Sequence, residues 1–173
     1  MWLPLAFEYA FGCLLMMIGE IEKGTEVFAA VRDRYRGHNR NSWNEMECGS
    51  NYARSMSSYA AVPVLAGFSF DLGRGNIGFD PKVHRNGHFR TIWSTGSGWG
   101  EVLIEDGAVS IKLLGGTINL ASISVQNAQF DARAISEPAL KKVVNDRVEV
   151  VAGDVIVLRD PAIRICSSNV IAI

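Results

Sequence analysis

The stretch WGEVLIEDGAVSIKLLG, residues 99–115, decides the fold of the second half of the chain. Val, Leu and Ile dominate both of its ends, and a segment of this kind between turn residues favours a β-strand. The EDG tripeptide at 105–107 separates the two apolar ends and has the composition of a tight turn. We therefore predict two strands joined by a short turn.

Similar segments surround this pair and extend the prediction to the whole C-terminal region, residues 71–173. FSFDLGRGNIGFDP at 68–81 is rich in Gly and Asp, and it predicts a loop that leads into the strands. EPALKKVVN at 137–145 interrupts the pattern and fits either a short helical turn or an edge segment. The remaining strand candidates are HFRTIWS (88–94), TINLASISVQ (117–126), DRVEVVAG (146–153), DVIVLRD (154–160) and AIRICSS (162–168).

Residues 1–70 have helical character instead. Residues 5–18 are apolar nearly all round, which predicts a helix enclosed by neighbours. A second helix follows with Thr25 as its N-cap, and a third is expected from about Ser50 to Leu65, with Pro63 near its end. The sequence therefore predicts an α+β fold with a helical segment at 1–70 and a loop plus β-rich region at 71–173.

Charge and apolar composition exclude several classes of partner. Lys and Arg number 17 against 18 Asp and Glu, and the net charge is −1. No basic field is present that would attract nucleic acid or an anionic membrane. The apolar N-terminus carries Glu8 in its middle and lacks a basic n-region, so we predict a buried helix rather than a signal peptide or a membrane span.

The cysteines and histidines predict neither disulfides nor a metal site. Cys13, Cys48 and Cys166 are odd in number and far apart, which favours a reducing, cytoplasmic location. The chain has no CxxC spacing, and Asn86 and Gly87 separate two of its three histidines in a way that disfavours a helical ligand pair. We expect no metal and no other cofactor.

The segment NSWNEMECGSNYARS, residues 41–55, concentrates polar chemistry between two apolar regions. Glu45 and Glu47 point to one side if the loop is extended, and Arg54 falls in the first helical turn, where a cation is disfavoured by about 0.3–1 kcal/mol. A carboxylate and a guanidinium beside Trp43 would form a grip for a hydroxyl-rich ligand such as a sugar. The alternative is an internal Glu–Arg salt bridge that ties the loop to the helix.

The wider segment VRDRYRGHNRNSWNEMECGSNYARSMSSYA, residues 31–60, resembles glycoside hydrolase family 116, the family of the non-lysosomal glucosylceramidases and related bacterial β-glucosidases. The family pattern N-P-W-N-E-x-E-C-G-x-x-Y-A-R is matched by the residues of 41–54 except at Ser42, which replaces the usual Pro. The close match covers residues 27–70, and similarity beyond residue 80 is weak.

This resemblance implies a retaining β-glycosidase with an (α/α)6 catalytic barrel and a separate β-sandwich domain. It assigns Glu45 and Arg54 to the hydroxyls of the glycone, and Trp43 lies beside them. The family's nucleophile and acid/base lie upstream of the motif, and this chain has no counterpart of them, so we expect no catalytic residue here. We expect the C-terminal piece of such a protein, with a β-glucoside-type ligand. It would form a homo-oligomer or associate with the missing upstream part, because three helices cannot close a twelve-helix barrel.

Two readings of function therefore remain open. In the first, the chain supplies the glycone-binding wall of a β-glycosidase. In the second, it is a non-catalytic carbohydrate-binding or assembly module. In the C-terminal half, Trp93 or Trp99 could stack on a sugar or could close a hydrophobic core, and His88 and Arg90 could line a pocket.

Overall fold

Helices come first and strands second, so the chain has the mixed α+β character that the sequence predicts. The chain divides into two compact structural units, Met1–Leu65 and Ala66–Ile173. The computed structural model describes residues 5–39, 41, 56–134, 142–165 and 171–172. Within these residues, no helix is long and apolar enough to cross a membrane.

The first unit is built on two adjoining helices, α1 (Leu5–Met17) and α2 (Ile21–Arg34). The prediction of a helix over 5–18 is confirmed for Leu5–Met17, but the prediction that this helix is enclosed by neighbours is wrong, because Phe7, Phe11 and Leu14 are exposed. A tight connection through Gly19, whose φ is +93°, joins α1 to α2. Glycine takes this left-handed conformation without the steric cost that a side chain would add.

The prediction that Thr25 caps the second helix is wrong, because α2 begins four residues earlier. Within α2 the Thr25 hydroxyl donates to the carbonyl of Ile21 at 2.8 Å. The neighbouring Gly24 is a packing position rather than a break. A Cβ added there would lie 2.7 Å from the carbonyl oxygen of Gly12 on α1, so the absence of a side chain lets the two helices approach closely.

The third helix also differs from the prediction in its described part. A 3₁₀ turn over Met56–Ala60 precedes a short helix, α3 (Ala61–Ala66). Pro63 has no N–H group to donate to a preceding carbonyl, and it is tolerated only in the first turn of a helix. A helix that contains Pro63 therefore starts at Ala61 instead of running through from Ser50. Residues 50–55 lie outside the described residues.

The second unit contains the strands, and two of them fall where the sequence analysis expected only a loop. β1 and β2 form an antiparallel hairpin in which Phe70 pairs with Ile77. Asp71 closes the turn by accepting the backbone N–H of Arg74 at 2.9 Å. The strands are β1 (Ser69–Asp71), β2 (Asn76–Phe79), β3 (Val83–His84), β4 (His88–Ser94), β5 (Gly98–Glu105), β6 (Ala108–Leu120), β7 (Ser122–Val125), β8 (Ala128–Asp131), β9 (Lys142–Val144), β10 (Arg147–Val151), β11 (Val155–Arg159) and β12 (Ile171–Ala172).

Two larger sheets and one small strand pair organise this unit. One sheet has the order β1-β2-β7-β8, and the other has the order β4-β5-β6-β10-β9 with β11 also paired to β6. β12 lies parallel to β3. The long strand β6 pairs with β5 along one side, and on the other side it pairs first with β11 and then with β10. β6 is therefore the strand around which the larger sheet is assembled.

Alternation along the strands directs one face of each sheet into the core. Val102, Ile104 and Ile111 of the larger sheet are buried, as are Ile77 and Ile123 of the smaller one. The buried aliphatic residues alternate with more exposed ones, which is the pattern of half-buried strands. The EDG segment turns between β5 and β6 as predicted.

Candidate functional site

The three residues that the sequence assigns to sugar binding, Trp43, Glu45 and Arg54, lie outside the described residues. Their roles remain predictions. The described elements on either side of them are α2, which ends at Arg34, and the 3₁₀ turn that begins at Met56.

An open groove of about 430 Å³ lies along α1 and α2 in the first unit. Its polar groups are Glu8 and Arg34, and the Arg34 guanidinium donates to the Glu8 carboxylate. The other residues that line the groove are apolar, so the groove presents mainly apolar surface beside this ion pair. Its lining residues are Phe7, Glu8, Phe11, Val27, Ala30, Val31 and Arg34.

The outward side of α1 continues this apolar surface. Phe7 is 66% exposed and Phe11 is 53% exposed, and three further large apolar side chains of the same helix and its C-terminal turn are exposed: Leu14, Met17 and Ile18. Contiguous apolar surface of this kind marks a place where other protein packs. Its chemistry suits an apolar partner rather than the hydroxyls of a sugar.

The two tryptophans of the second unit have opposite surroundings. Trp93 on β4 is 3% exposed, and its indole N–H donates to the carbonyl of Glu101 at 3.2 Å. Its ring lies 6.2 Å from that of Phe68, which also contacts Phe79 of the other sheet. Trp93 therefore closes the core, whereas Trp99 on β5 is 52% exposed.

Trp99 lies at an irregularity of the larger sheet. It pairs with Gly115 while Gly100 pairs with Leu113, so Leu114 is an extra residue in β6, as in a β-bulge. The Trp99 indole fills the space where a side chain at position 115 would be. A Cβ added to Gly115 would lie only 2.4 Å from Nε1 of the ring. The backbone is thus shaped to receive the indole, whose remaining surface faces solvent.

His88 and Arg90 lie on the outer face of the same sheet, where each pairs with an acidic residue of β5. Nδ1 of His88 lies 2.7 Å from the Glu105 carboxylate. The Arg90 guanidinium donates to Oε2 of Glu101 at 2.6 Å, and this hydrogen bond holds the pKa of Glu101 below its ordinary value. The four side chains form one ion pair, Arg90–Glu101, and one imidazole–carboxylate contact, His88–Glu105, on an exposed surface, and they do not line a pocket.

Sequence reasoning missed Glu101 and Gly115 as members of this surface. The signal for Glu101 was the strand periodicity, because residues two apart on β5 share a face and Glu101 is two residues from Trp99. No comparable signal was available for Gly115, since its place under the indole depends on the pairing of β5 with β6.

The described side chains do not meet the requirements of a metal site. Among the residues that the structure describes, no group of three or more His, Cys, Asp and Glu side chains is placed to hold a metal ion.

Comparison of the sequence with models of known protein families, and with curated proteins, finds no match.

Proposed function

We propose that the chain contributes the glycone-binding residues of a β-glycosidase of the β-glucosidase or glucosylceramidase type, and that it does not catalyse hydrolysis alone. The pattern NSWNEMECGSNYAR at 41–54 carries this proposal. It combines Trp, Glu and Arg at the fixed offsets of family 116, and these residue types suit a sugar chemically. Carboxylate and guanidinium groups bond its hydroxyls, and an aromatic ring covers its C–H face.

The described helices support the proposal through the surface that they leave exposed. In an (α/α)6 barrel each helix packs on others of the array. The exposed side chains of α1, with Phe7 and Phe11 among them, are the kind that such packing would cover. We propose accordingly that the chain forms a homo-oligomer or associates with the part of a glycosidase that carries the other helices.

Catalysis by the motif itself is disfavoured on geometric grounds. A retaining glycosidase needs two carboxyl groups about 5–5.5 Å apart, one on each side of the scissile bond. Glu45 and Glu47 are two residues apart on one segment, so they cannot easily flank a sugar from opposite faces. Glu45 and Arg54 are therefore assigned to binding, and the nucleophile and acid/base to a partner or to another part of the protein.

Hydrolysis of an aryl β-glucoside by the purified chain tests this assignment. We expect no turnover from the folded chain. In parallel, we expect methyl β-glucoside to bind, and both Glu45→Gln and Arg54→Ala to weaken that binding about tenfold or more. A hydrogen bond to a charged group contributes about 1.5–3 kcal/mol. Glu47→Gln serves as the matched control and should leave the affinity unchanged.

Two results would contradict the proposal in different ways. Turnover that disappears in Glu45→Gln would mean that the motif itself carries the chemistry. An Arg54→Ala variant with lowered stability but unchanged sugar affinity would favour the salt-bridge interpretation, in which Arg54 only ties the loop to the helix.

A further inference from the structure

We propose that the outer face of β4, β5 and β6 around Trp99 is a separate binding surface for a neutral, β-linked gluco-oligosaccharide. The residues involved are in the second unit and share nothing with the glycone motif. This proposal therefore stands independently of the function proposed above.

The indole of Trp99 supplies the platform. Stacking requires an aromatic ring that is held in place and has an open side. Gly115 leaves room for the Trp99 ring to lie against β6, and 52% exposure leaves the other side of the ring accessible. β-Linked glucose units carry equatorial hydroxyls, so both faces of each ring present C–H groups that can lie on an indole. Among the described residues, the Trp99 N–H donates no hydrogen bond, and its Nε1 lies over Gly115.

Arg90 and Glu101 supply the polar contacts at the edge of this platform. Trp99 and Glu101 are two residues apart on β5, which places their Cα atoms about 7 Å apart on the same face. Their ion pair uses Oε2 of Glu101 and one guanidinium nitrogen of Arg90. Within the described part of the chain, Oε1 of Glu101 accepts no hydrogen bond, and further N–H groups of Arg90 are free to donate. A sugar hydroxyl both donates and accepts, so it can bond to both members of the pair.

The charge balance of this face selects a neutral ligand. On β4, β5 and β6 the Arg90 and Lys112 side chains oppose Glu101 and Glu105, so these four groups together carry no net charge. A polyanion such as nucleic acid requires a basic surface, which is absent from this described face. The apolar side chains of Ile92 and Leu114 lie on the neighbouring strands of the same face and extend the area beside the indole. These charges and apolar groups form a surface suited to a polar, uncharged molecule with an apolar side.

Calorimetric titration of the full chain with cellohexaose tests the proposal. We expect Trp99→Ala to weaken binding at least tenfold, which corresponds to about 1.4 kcal/mol. Glu101→Gln should weaken it by about fivefold, because the neutral amide loses the charge-assisted pair with Arg90. Phe70→Ala is the matched control, since Phe70 is exposed to a similar extent (54%) on the other sheet, and it should bind like the parent chain. Near-ultraviolet circular dichroism verifies that each variant is folded.

Four results would overturn the proposal. The first is absence of cellohexaose binding by the folded parent chain, and the second is equal affinity in Trp99→Ala. The third is a Trp99→Ala variant that loses self-association in sedimentation equilibrium while sugar affinity is unchanged, which would make the face a protein interface. Binding that is lost in Arg54→Ala but kept in Trp99→Ala would also overturn it, while supporting the glycone site of the proposed function.

Discussion

Substitution of Gly100 by alanine should strongly destabilise the second unit, even though only one methyl group is added. Gly100 lies in β5 on the inward face, opposite the outward-facing Trp99. A Cβ at this position would lie 1.9 Å from the carbonyl oxygen of Lys112 on β6 and 3.0 Å from the ring of Trp93. Carbon–oxygen contacts between neighbouring strands are normally about 3.3 Å or longer. The β5 and β6 backbones must therefore separate by more than an ångström at this point.

The cost of this separation follows from the contacts that it breaks. Two ladder hydrogen bonds beside position 100 contribute about 1 kcal/mol each. Forcing an extra methyl group into a packed core costs about a further 1–3 kcal/mol. The expected loss in the free energy of unfolding is therefore about 3–5 kcal/mol. With a urea m value of about 1.5–2 kcal/mol/M, the midpoint should fall by about 2 M.

Gly115→Ala is the control, because it adds the same methyl group on the opposite face of the same irregularity. Its new Cβ meets the indole of Trp99, which is the far end of an exposed side chain and can rotate into solvent. We expect a change of less than about 1 kcal/mol in stability, which is normal for a surface substitution. Urea unfolding followed by the fluorescence change of the tryptophans compares the two variants. A Gly100→Ala chain as stable as Gly115→Ala would refute the close approach of β5 and β6.

Two further predictions concern single buried contacts. Asp106→Ala should lower the free energy of unfolding by about 1–3 kcal/mol in urea titrations. The reason is that Oδ1 of Asp106 accepts the backbone N–H of the buried Ile165 at 2.7 Å, and this donor would be left unpaired. Asp106→Asn keeps an acceptor oxygen and should restore most of the lost stability. Burial raises the pKa of the Cys13 thiol, so at pH 8.5 its reactive thiolate is less populated than in a free thiol. In a Cys48→Ser, Cys166→Ser background, iodoacetamide should therefore modify Cys13 about tenfold or more slowly in the folded chain than in urea. Equal rates in the two conditions would contradict the burial of Cys13.

The sequence predicts the elements whose pattern is local. The apolar run at 5–18 indicates α1, and the two aliphatic segments around EDG indicate β5 and β6, because both features depend on residues close together in the chain. The β1–β2 hairpin was missed because its strands, Ser69–Asp71 and Asn76–Phe79, are too short to show a clear alternation of apolar and polar residues. Residues 69–79 also contain three glycines and one aspartate, which are typical of a loop.

Features that depend on tertiary contact were not predictable in the same way. Gly24 resembles a helix break in sequence, and only the approach of Gly12 on α1 explains why α2 continues through it. Trp93 and Trp99 look alike in sequence, and the pairing of β4, β5 and β6 decides which one is buried. The glycone residues Glu45 and Arg54 remain a prediction from the motif.

The central position of β6 has a consequence for synthesis of the chain on the ribosome. β5 precedes β6, so one side of β6 can pair as soon as the strand emerges. The other side waits for β10 and β11, the second of which ends at Arg159, about 40 residues after Leu120. At about 5–20 residues per second, this edge stays open for about 2–8 s. During that interval β6 is a template for neighbouring nascent chains, so slow translation between β6 and β11 should increase aggregation.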